Sequence, residues 1–362
     1  MQGRSLSRFA PSSATAEQRL EMTRMAGEQL GLGDRVQVLD LELKRTGRSY
    51  TSDTLAQLKE RYPEDELWLL MGTDMFLSLQ SWRQPERIAA LAHIAPFRRE
   101  REDDPAAFAA QKERLERDYG ASVTVVPNPD VVDISSTEVR AALAQGGGED
   151  MLPPAVWGYI CRERLYGTHT DLKHLTPEAL RPVALSYLKP KRMPHVLGTE
   201  QEAVRLAERY GADVTKARVA ALLHDCTKKL DMAEQLALCE RYRIPLDELE
   251  RKALKLLHSK TGAAIARDVF AVDDEVYNAI LYHTTGKPDM TLLEKIIYLA
   301  DYIEPTRDFP GVEELRRTVY EDLDRGLLLG LTMTIQEMEE LGNPVHHMTR
   351  DARDYLMKRG IS

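Results

Sequence analysis

A chain of 362 residues is longer than one compact core usually requires, so its length predicts two domains. Hydrophobic residues make up 43% of the chain and charged residues 30%, and no apolar run is long enough to span a bilayer. The net charge of -9 argues against broad, sequence-independent binding of nucleic acid, but it does not exclude a phosphorylated small molecule.

The first half of the chain alternates short apolar runs with amphipathic patterns. The predicted helices cover residues 16–30 and 53–61, and the predicted strands cover residues 36–43, 67–71 and 123–127. Strands that alternate with helices indicate βαβ units. We therefore expect an α/β domain with a parallel sheet over residues 1–167.

The second half is helical almost throughout from residue 176 onward. Residues 166–173 have loop composition without periodicity, so we place the seam there. The expected domains are 1–167, a linker with a leading helix at 168–188, an all-α domain at 189–342 and a C-terminal tail at 343–362. Cys161, Cys226 and Cys239 are scattered and no signal peptide is recognisable, so we expect no disulfide framework and a cytoplasmic location.

Metal-type side chains lie on the apolar faces of several predicted helices. In the helix that ends at His224, apolar residues precede the histidine at intervals of three and four, so its imidazole points inward. The same spacing places His258, His283 and Asp301 on core faces. Asp225 lies about 100° round the helix from His224, close enough to reach the same centre.

Two capping boxes help to set the helical registers. Thr199 with Glu202, and Thr291 with Glu294, each match the pattern of a helix start. His195 follows Pro194 and is expected just before a helix start, where the chain turns toward the bundle. It is the sixth member of the predicted cluster.

Four imidazoles and two carboxylates in a core without an inward Lys or Arg would leave buried charge unpaired, at a cost of several kcal/mol per ion. Metal ions remove that penalty. Mixed imidazole and carboxylate ligation suits iron, manganese or zinc better than calcium or magnesium. The expected metal ligands are His195, His224, Asp225, His258, His283 and Asp301.

The adjacent pair His224 and Asp225, with an upstream His and a downstream Asp, resembles the signature of the HD phosphohydrolase superfamily. His258 and His283 would supply a second metal site, with the Asp225 carboxylate as the bridge. The runs ALLHDCTKKL, LHSKTGAAIA, LYHTTGKP and EKIIYLADYIEPTRDFPGVEELR, within about residues 189–340, are similar to the bacterial symmetrical bis(5'-nucleosyl)-tetraphosphatases. The resemblance implies a di-iron enzyme that cuts diadenosine tetraphosphate into two ADP.

The chemistry expected of this centre follows from the ligands. Two metals about 4 Å apart can hold a bridging hydroxide at neutral pH and neutralise a phosphoryl group under in-line attack. Asp225 and Lys228 are therefore the catalytic candidates. A tetraphosphate also needs polar and cationic groups further out. The predicted substrate-binding residues are Arg192, Lys228, Thr284, Thr285, Gly286, Lys287 and Arg307.

Motifs of the first half follow the order of another family. SYTSDTL, LLMGTDMFLSLQSW, ISSTEVR and the closing PPAVWGYICRERLYG, within about residues 19–166, resemble nicotinate-nucleotide adenylyltransferase, a nucleotidyltransferase with a Rossmann-type parallel sheet. The resemblance implies ATP and nicotinate mononucleotide as ligands, with the ATP phosphates at a helix start. By this resemblance, the nucleotide-binding candidates are Thr51, Gly72, Asp74, Trp82, Ser135, Ser136, Thr137 and Arg140.

The first half departs from that family at its start. The family's first strand and its G-x-F-x-P-x-H-x-G-H loop have no counterpart before Arg19, and His93 is the only histidine before position 169. We expect an N-terminally incomplete sheet and no adenylyl transfer by the chain as written. Two explanations are open: the chain starts at an internal Met of a longer fusion enzyme, or this half is a degenerate module that packs or binds nucleotide.

Two other hypotheses for the second half remain to be compared with the tetraphosphatase. One is an HD hydrolase of an alarmone or a cyclic dinucleotide, but a one-metal alarmone hydrolase would not need His258 and His283. The Thr-Thr-Gly-Lys-Pro run after His283 also differs from the Gly-Tyr-Pro signature of cyclic dinucleotide enzymes. The other is a nucleotide-sensing module without turnover, which the retained ligands and Lys228 disfavour.

Overall fold

A computed structural model describes residues 14–98, 104–128, 130–132 and 134–361. These residues divide into two compact units. One unit, called here the α/β unit, comprises residues 37–141. The other, called the helical unit, comprises the described residues of 1–36 and 142–362. The division differs from the domain limits expected from the sequence, because residues 14–36 and 142–167 of the expected first domain group with the helical unit.

Helices and strands alternate over the first part of the chain. In order, they are α1 (Ala16–Gln29), α2 (Thr51–Arg61), β1 (Trp68–Gly72), α3 (Thr73–Ser78), α4 (Pro85–Leu91), β2 (His93–Phe97), α5 (Pro105–Tyr119) and α6 (Ser136–Ala144).

The α/β unit is built on a small parallel sheet. β1 pairs with β2 in parallel, with Trp68 opposite His93 and Gly72 opposite Phe97. Residues 122–126 run alongside β2 through backbone hydrogen bonds, including one of 2.9 Å from Thr124 to Ile94. The core beneath it includes the fully buried Phe76. The prediction of an α/β fold with a parallel sheet is confirmed.

The predicted strands had mixed outcomes. The one at 67–71 is confirmed as β1, shifted by one residue. The one at 36–43 is wrong, since these residues are irregular and enter a turn at 41. Alternating apolar residues form a strand only where a neighbouring strand accepts their backbone hydrogen bonds. Residues 123–127 form an isolated bridge with β2, and β2 itself was not predicted.

The rest of the chain is helical. In order, the helices are α7 (Pro154–Arg162), α8 (Pro177–Leu185), α9 (Met193–Tyr210), α10 (Val214–Leu223), α11 (Met232–Arg241), α12 (Leu254–Phe270), α13 (Asp274–Tyr282), α14 (Leu292–Ile303), α15 (Val312–Glu321), α16 (Leu323–Glu340) and α17 (His347–Lys358). The expected all-α fold is confirmed, and the predicted tail contains α17.

The start of α9 differs from the sequence prediction. The helix begins at Met193, with Pro194 in its first turn, so His195 lies inside the helix and not before it. The capping box at Thr199 is therefore wrong, and the Thr199 hydroxyl donates to the carbonyl of His195 instead. The second box is confirmed, since Thr291 caps α14 with reciprocal bonds to Glu294.

Two bulk expectations can be compared with the structure. Cys161, Cys226 and Cys239 are all buried and unpaired. Within the described ranges, the structure contains no helix with both the length and the apolar character needed to cross a bilayer.

Helices α7 and α8 approach so closely at Gly158 that a side chain would not fit. A Cβ there would overlap the carbonyl of Pro182 in the backbone of α8. We expect Gly158→Ala to lower the free energy of unfolding by about 1–3 kcal/mol, because the helices must separate. Gly147→Ala is the matched control, since its Cβ would make only an ordinary 3.7 Å contact. Chemical denaturation measures both variants, and equal stabilities would contradict the prediction.

Candidate metal centre

Helix ends bring the six predicted ligands together in the helical unit. They lie in the first turn of α9, at the C-cap of α10 and the next residue, in the second turn of α12, at the C-cap of α13 and in the last turn of α14. In chain order they are His195, His224, Asp225, His258, His283 and Asp301. All except Asp301 are buried, and the Asp301 side chain is 19% exposed.

The Asp225 carboxylate lies between two pairs of imidazoles. Its Oδ2 is 3.5 Å from Nε2 of His224 and 3.9 Å from Nε2 of His195. Its Oδ1 is 3.2 Å from Nε2 of His258 and 3.9 Å from Nε2 of His283. Each imidazole pair therefore forms a three-residue group with Asp225 whose ligand atoms lie within 4.8 Å of one another.

Two of the rings are oriented by the helices that carry them. Nδ1 of His224 donates to the carbonyl of Ala221 at 2.6 Å, and Nδ1 of His283 donates to that of Ile280 at 2.7 Å. Both carbonyls belong to a last helical turn, where no further turn of the helix offers an N–H. A proton on Nδ1 leaves the lone pair of a neutral imidazole on Nε2, which faces Asp225.

His195 is oriented by Glu304, a residue that the sequence analysis missed. Nδ1 of His195 donates to Glu304 Oε1 at 3.0 Å. Nε2 then faces Asp301 Oδ1 at 2.9 Å and Nε2 of His224 at 3.4 Å. Glu304 follows Asp301 by three residues, so helical spacing was the signal that could have found it.

Burial and neighbouring charges set the protonation of the cluster. Burial lowers the pKa of His258 and that of His283 to about 4, so both rings are neutral near pH 7. Burial alone would raise the pKa of Asp225 and of Asp301. Neighbouring histidines and basic side chains instead hold both well below the usual carboxyl range. The cluster therefore offers neutral imidazoles at His258 and His283 beside ionised carboxylates.

These residues fit a divalent cation. Oδ1 of the buried Asp225 has no hydrogen bond of acceptable geometry, although His258 lies nearby. The Nε2 atoms of His195 and His224 lie 3.4 Å apart, and in the neutral tautomers with a proton on Nδ1 they face each other as acceptors. These nitrogen lone pairs and a carboxylate oxygen without a hydrogen bond converge at one point. They repel each other unless a cation lies between them.

Basic side chains reach the carboxylates, which corrects the expectation of a core without inward Lys or Arg. Arg192 Nε donates to Asp225 Oδ2 at 2.6 Å, and Arg307 Nη2 donates to Asp301 Oδ1 at 2.8 Å. Lys228 Nζ lies 3.0 Å from Nε2 of His258. Long side chains can reach inward from the rim of a site while their stems stay near the surface. The pattern of apolar faces does not reveal this.

A cavity of about 370 Å³ opens beside the cluster. Four of the predicted substrate-binding residues line it, namely Arg192, Lys228, Thr284 and Arg307. Lys255 also lines it and was not predicted. It precedes His258 by one helical turn on α12, so its i, i+3 spacing from a ligand could have indicated it.

The other three predicted substrate-binding residues face elsewhere. Thr284 is the last residue of this run in the cavity lining, and Gly286, two residues later, has a positive φ of 64°. The Thr285 hydroxyl donates to the carbonyl of Gly286. Lys287 Nζ lies 3.1 Å from Glu294 Oε2, in the capping box of α14. A loop sequence does not specify on which side such a turn leaves its helix.

The nucleotide-binding candidates of the α/β unit occupy strand and helix ends. Gly72 ends β1 and Asp74 lies in the first turn of α3, at the carboxyl end of a parallel strand. Trp82 packs partly buried against the core. Ser135 forms a capping box with Glu138 at the start of α6. Of the remaining candidates, Thr51 begins α2, and the exposed residues Ser136, Thr137 and Arg140 lie on α6.

Known proteins resemble the second half of the chain. A family model described as HD domain matches residues 192–306. The symmetrical bis(5'-nucleosyl)-tetraphosphatase of Bacillus subtilis is 40% identical over 159 residues, which are 44% of this chain and 85% of that protein. A crystal structure of a "predicted HD superfamily hydrolase involved in NAD metabolism" from Clostridium acetobutylicum aligns with a TM-score of 0.50 and 42% identity. The alignment covers 51% of this chain and 98% of that one.

Other proteins resemble the first half. A family model described as cytidylyltransferase-like matches residues 2–142. The probable nicotinate-nucleotide adenylyltransferase of Shewanella sp. strain ANA-3 is 38% identical over 168 residues, 42% of this chain and 76% of that protein. The probable nicotinate-nucleotide adenylyltransferase/Ap4A hydrolase of Mycoplasma genitalium is 26% identical over 290 residues, 76% of this chain and 73% of that protein.

Both resemblances noted in the sequence are thus confirmed, each over more than two thirds of a relative at more than 30% identity. The chain belongs to the HD-domain hydrolase family of the symmetrical bis(5'-nucleosyl)-tetraphosphatases through its second half, and to the nicotinate-nucleotide adenylyltransferase family through its first.

Proposed function

We propose that this chain hydrolyses dinucleoside tetraphosphates symmetrically. One water adds to a phosphorus beside the central bridging oxygen, the bond from that phosphorus to the bridge breaks, and diadenosine tetraphosphate yields two ADP. The observation that carries the proposal is the position of Asp225, with one carboxylate oxygen toward each imidazole pair. The names of the tetraphosphatase relatives support the choice of substrate.

The proposed centre would hold two divalent cations, and Asp225 would be a ligand in both groups. His195, His224 and Asp301 would complete one site, and His258 and His283 the other. Iron is our first choice because of the family resemblance, and manganese or zinc suit the same donors. Such a pair supplies an activated water at neutral pH and offsets charge on the attacked phosphoryl group.

The basic side chains would hold the polyphosphate. Arg192, Lys228 and Arg307 line the cavity and also reach ligand side chains. Cations at the centre would compete for these carboxylates and imidazoles, which leaves the basic groups available to phosphate oxygens. Burial lowers the pKa of Lys228, while the charges of Asp225 and Asp301 oppose that shift. We propose Lys228 as the catalytic residue beside Asp225 because it lines the cavity and its Nζ lies 3.8 Å from Asp225 Oδ1.

For the first half we propose no adenylyl transfer by the residues of this chain. That chemistry needs histidines that stabilise charge at the α-phosphate, and His93 is the one histidine before position 169. Its ring stacks on Trp68 with centroids 4.7 Å apart, and its Nδ1 lies 2.8 Å from Ser122 Oγ. These contacts suit a packing role. Incubation with ATP and nicotinate mononucleotide tests this, and pyrophosphate release would overturn it.

Symmetrical cleavage predicts a single product. Protein supplied with reduced iron or manganese is expected to convert diadenosine tetraphosphate into ADP, because attack beside the central bridge leaves two equal halves. Anion-exchange chromatography identifies the products, and Asp225→Ala serves as the inactive control. AMP together with ATP would contradict the symmetrical assignment. Tight binding without product would favour the nucleotide-sensing hypothesis instead.

The two-metal proposal predicts a stepwise loss of metal. His258→Ala removes one imidazole beside Asp225 Oδ1 and is expected to lower the bound metal from two ions per chain toward one. His174→Ala is the control, because His174 forms an exposed pair with Asp171 alone. Metal analysis after gel filtration measures both variants. Two ions retained by His258→Ala would contradict the assignment of His258 as a ligand.

The cavity predicts which lysine contacts substrate. Lys255 lines the cavity, whereas Lys287 pairs with Glu294 outside it. We expect Lys255→Gln to raise the KM for diadenosine tetraphosphate by about 10-fold, the loss of one charge-assisted contact. Lys287→Gln should leave KM within about 2-fold of the unaltered protein. Steady-state kinetics of the pair decide this, and the reverse ranking would contradict the cavity assignment.

A further inference from the structure

We infer that Glu304 is the positioning residue of the metal centre and acts through His195. This inference rests on the proposed function, because it assigns a role toward the proposed metal ligands. Glu304 is fully buried, although carboxylates avoid the interior unless their oxygens are satisfied. Its Oε1 accepts from His195 Nδ1 at 3.0 Å, so the buried charge is directed at one ligand.

The chain beyond α14 fixes the Glu304 carboxylate. The backbone N–H of Thr306 donates to Oε2 at 2.7 Å, and the Thr306 hydroxyl donates to Oε1 at 2.5 Å. With His195, three donors therefore converge on the two oxygens. An amide in place of the carboxylate would turn one acceptor into a donor, so Gln could not satisfy all three.

Arg316 on α15 holds the same turn from outside. Its guanidinium donates to the carbonyls of Ile303, Glu304 and Arg307, each at 2.9 Å. Arg307, in this turn, donates to Asp301 Oδ1. The turn of residues 303–307 thus orients two proposed ligands at once, His195 through Glu304 and Asp301 through Arg307.

Gly198 makes room for this arrangement on α9. A Cβ at Gly198 would overlap Glu304 Oε2, so a glycine one turn after His195 lets the carboxylate approach the helix. In the sequence, Gly198 follows His195 by three residues, so both lie on the same face of α9. The carboxylate holds the proton on Nδ1 of His195 and makes Nε2 more basic, which strengthens it as a metal ligand.

The test measures Mn²⁺ affinity of the full chain by calorimetry and by electron paramagnetic resonance of free Mn²⁺. Glu304→Gln is expected to weaken Mn²⁺ binding by about 10- to 100-fold. In a His195→Ala background the same change should alter affinity by less than about 2-fold, because the partner through which it acts is gone. Glu202→Gln is the matched control. Glu202, on α9, is buried like Glu304, but its carboxylate accepts from the Tyr320 hydroxyl and not from a histidine of the cluster.

The outcomes separate this inference from the proposed function. If the unaltered protein binds no Mn²⁺, the proposed function fails. If it binds Mn²⁺ and Glu304→Gln binds equally well, or if the loss persists in the His195→Ala background, the positioning role of Glu304 fails alone. Should Glu304→Gln not fold, Thr306→Val replaces it, because that exposed residue loses only its hydroxyl bond to Oε1. Unchanged Mn²⁺ affinity in Thr306→Val would then overturn the inference.

Discussion

The burial of the Asp225 carboxylate is the constraint on which the helical unit depends. An ionised carboxylate without solvent costs several kcal/mol unless positive charge or hydrogen bonds replace the lost water. Arg192 satisfies one of its oxygens, while the other has no hydrogen bond of its own. The buried position of Asp225 directly after α10 would therefore be stabilised by cations bound there. Without such cations, it lowers the stability of the fold.

The ends of the surrounding helices orient individual side chains of the cluster. His224 and His283 each end a helix and donate Nδ1 to the carbonyl three residues earlier, so the same local geometry appears twice. Each ring satisfies a carbonyl left over at its helix end and at the same time presents Nε2 inward. The ends of α10 and α13 thus fix both the helix ends and the orientation of the two imidazoles, so a cation bound to those imidazoles would also stabilise these helix ends.

Much of this cluster could be predicted because most of its residues lie on periodic apolar faces. His224, His283 and Asp301 each follow core residues at helical spacing, and the six-residue cluster was expected from that pattern together with the family motifs. Glu304 was missed because it is a polar residue at the end of α14 and not part of an apolar face, although its spacing of three from Asp301 was a usable signal. Thr285 and Lys287 were placed toward substrate because the sequence does not specify the direction of the turn at Gly286. The α/β unit was harder still, since short strands are set by pairing with distant segments, as β2 is with residues near Val123.

Arginine and lysine side chains reach the cluster, and their presence bears on whether it also needs cations. Sequence reasoning expected metal ions because no basic residue was thought to face inward, but Arg192, Lys228 and Arg307 all do. Their presence does not remove the case for cations. A guanidinium bonded to Asp225 Oδ2 leaves Oδ1 without a hydrogen bond, and the nearest ammonium, that of Lys228, is 3.8 Å from it. The three basic residues line the cavity together with His258 and His283, so basic groups and imidazoles face the same space beside the carboxylates. Cations bound among the imidazoles and phosphates bound among the basic groups would therefore meet at the carboxylates, where the proposed hydrolysis requires them to meet.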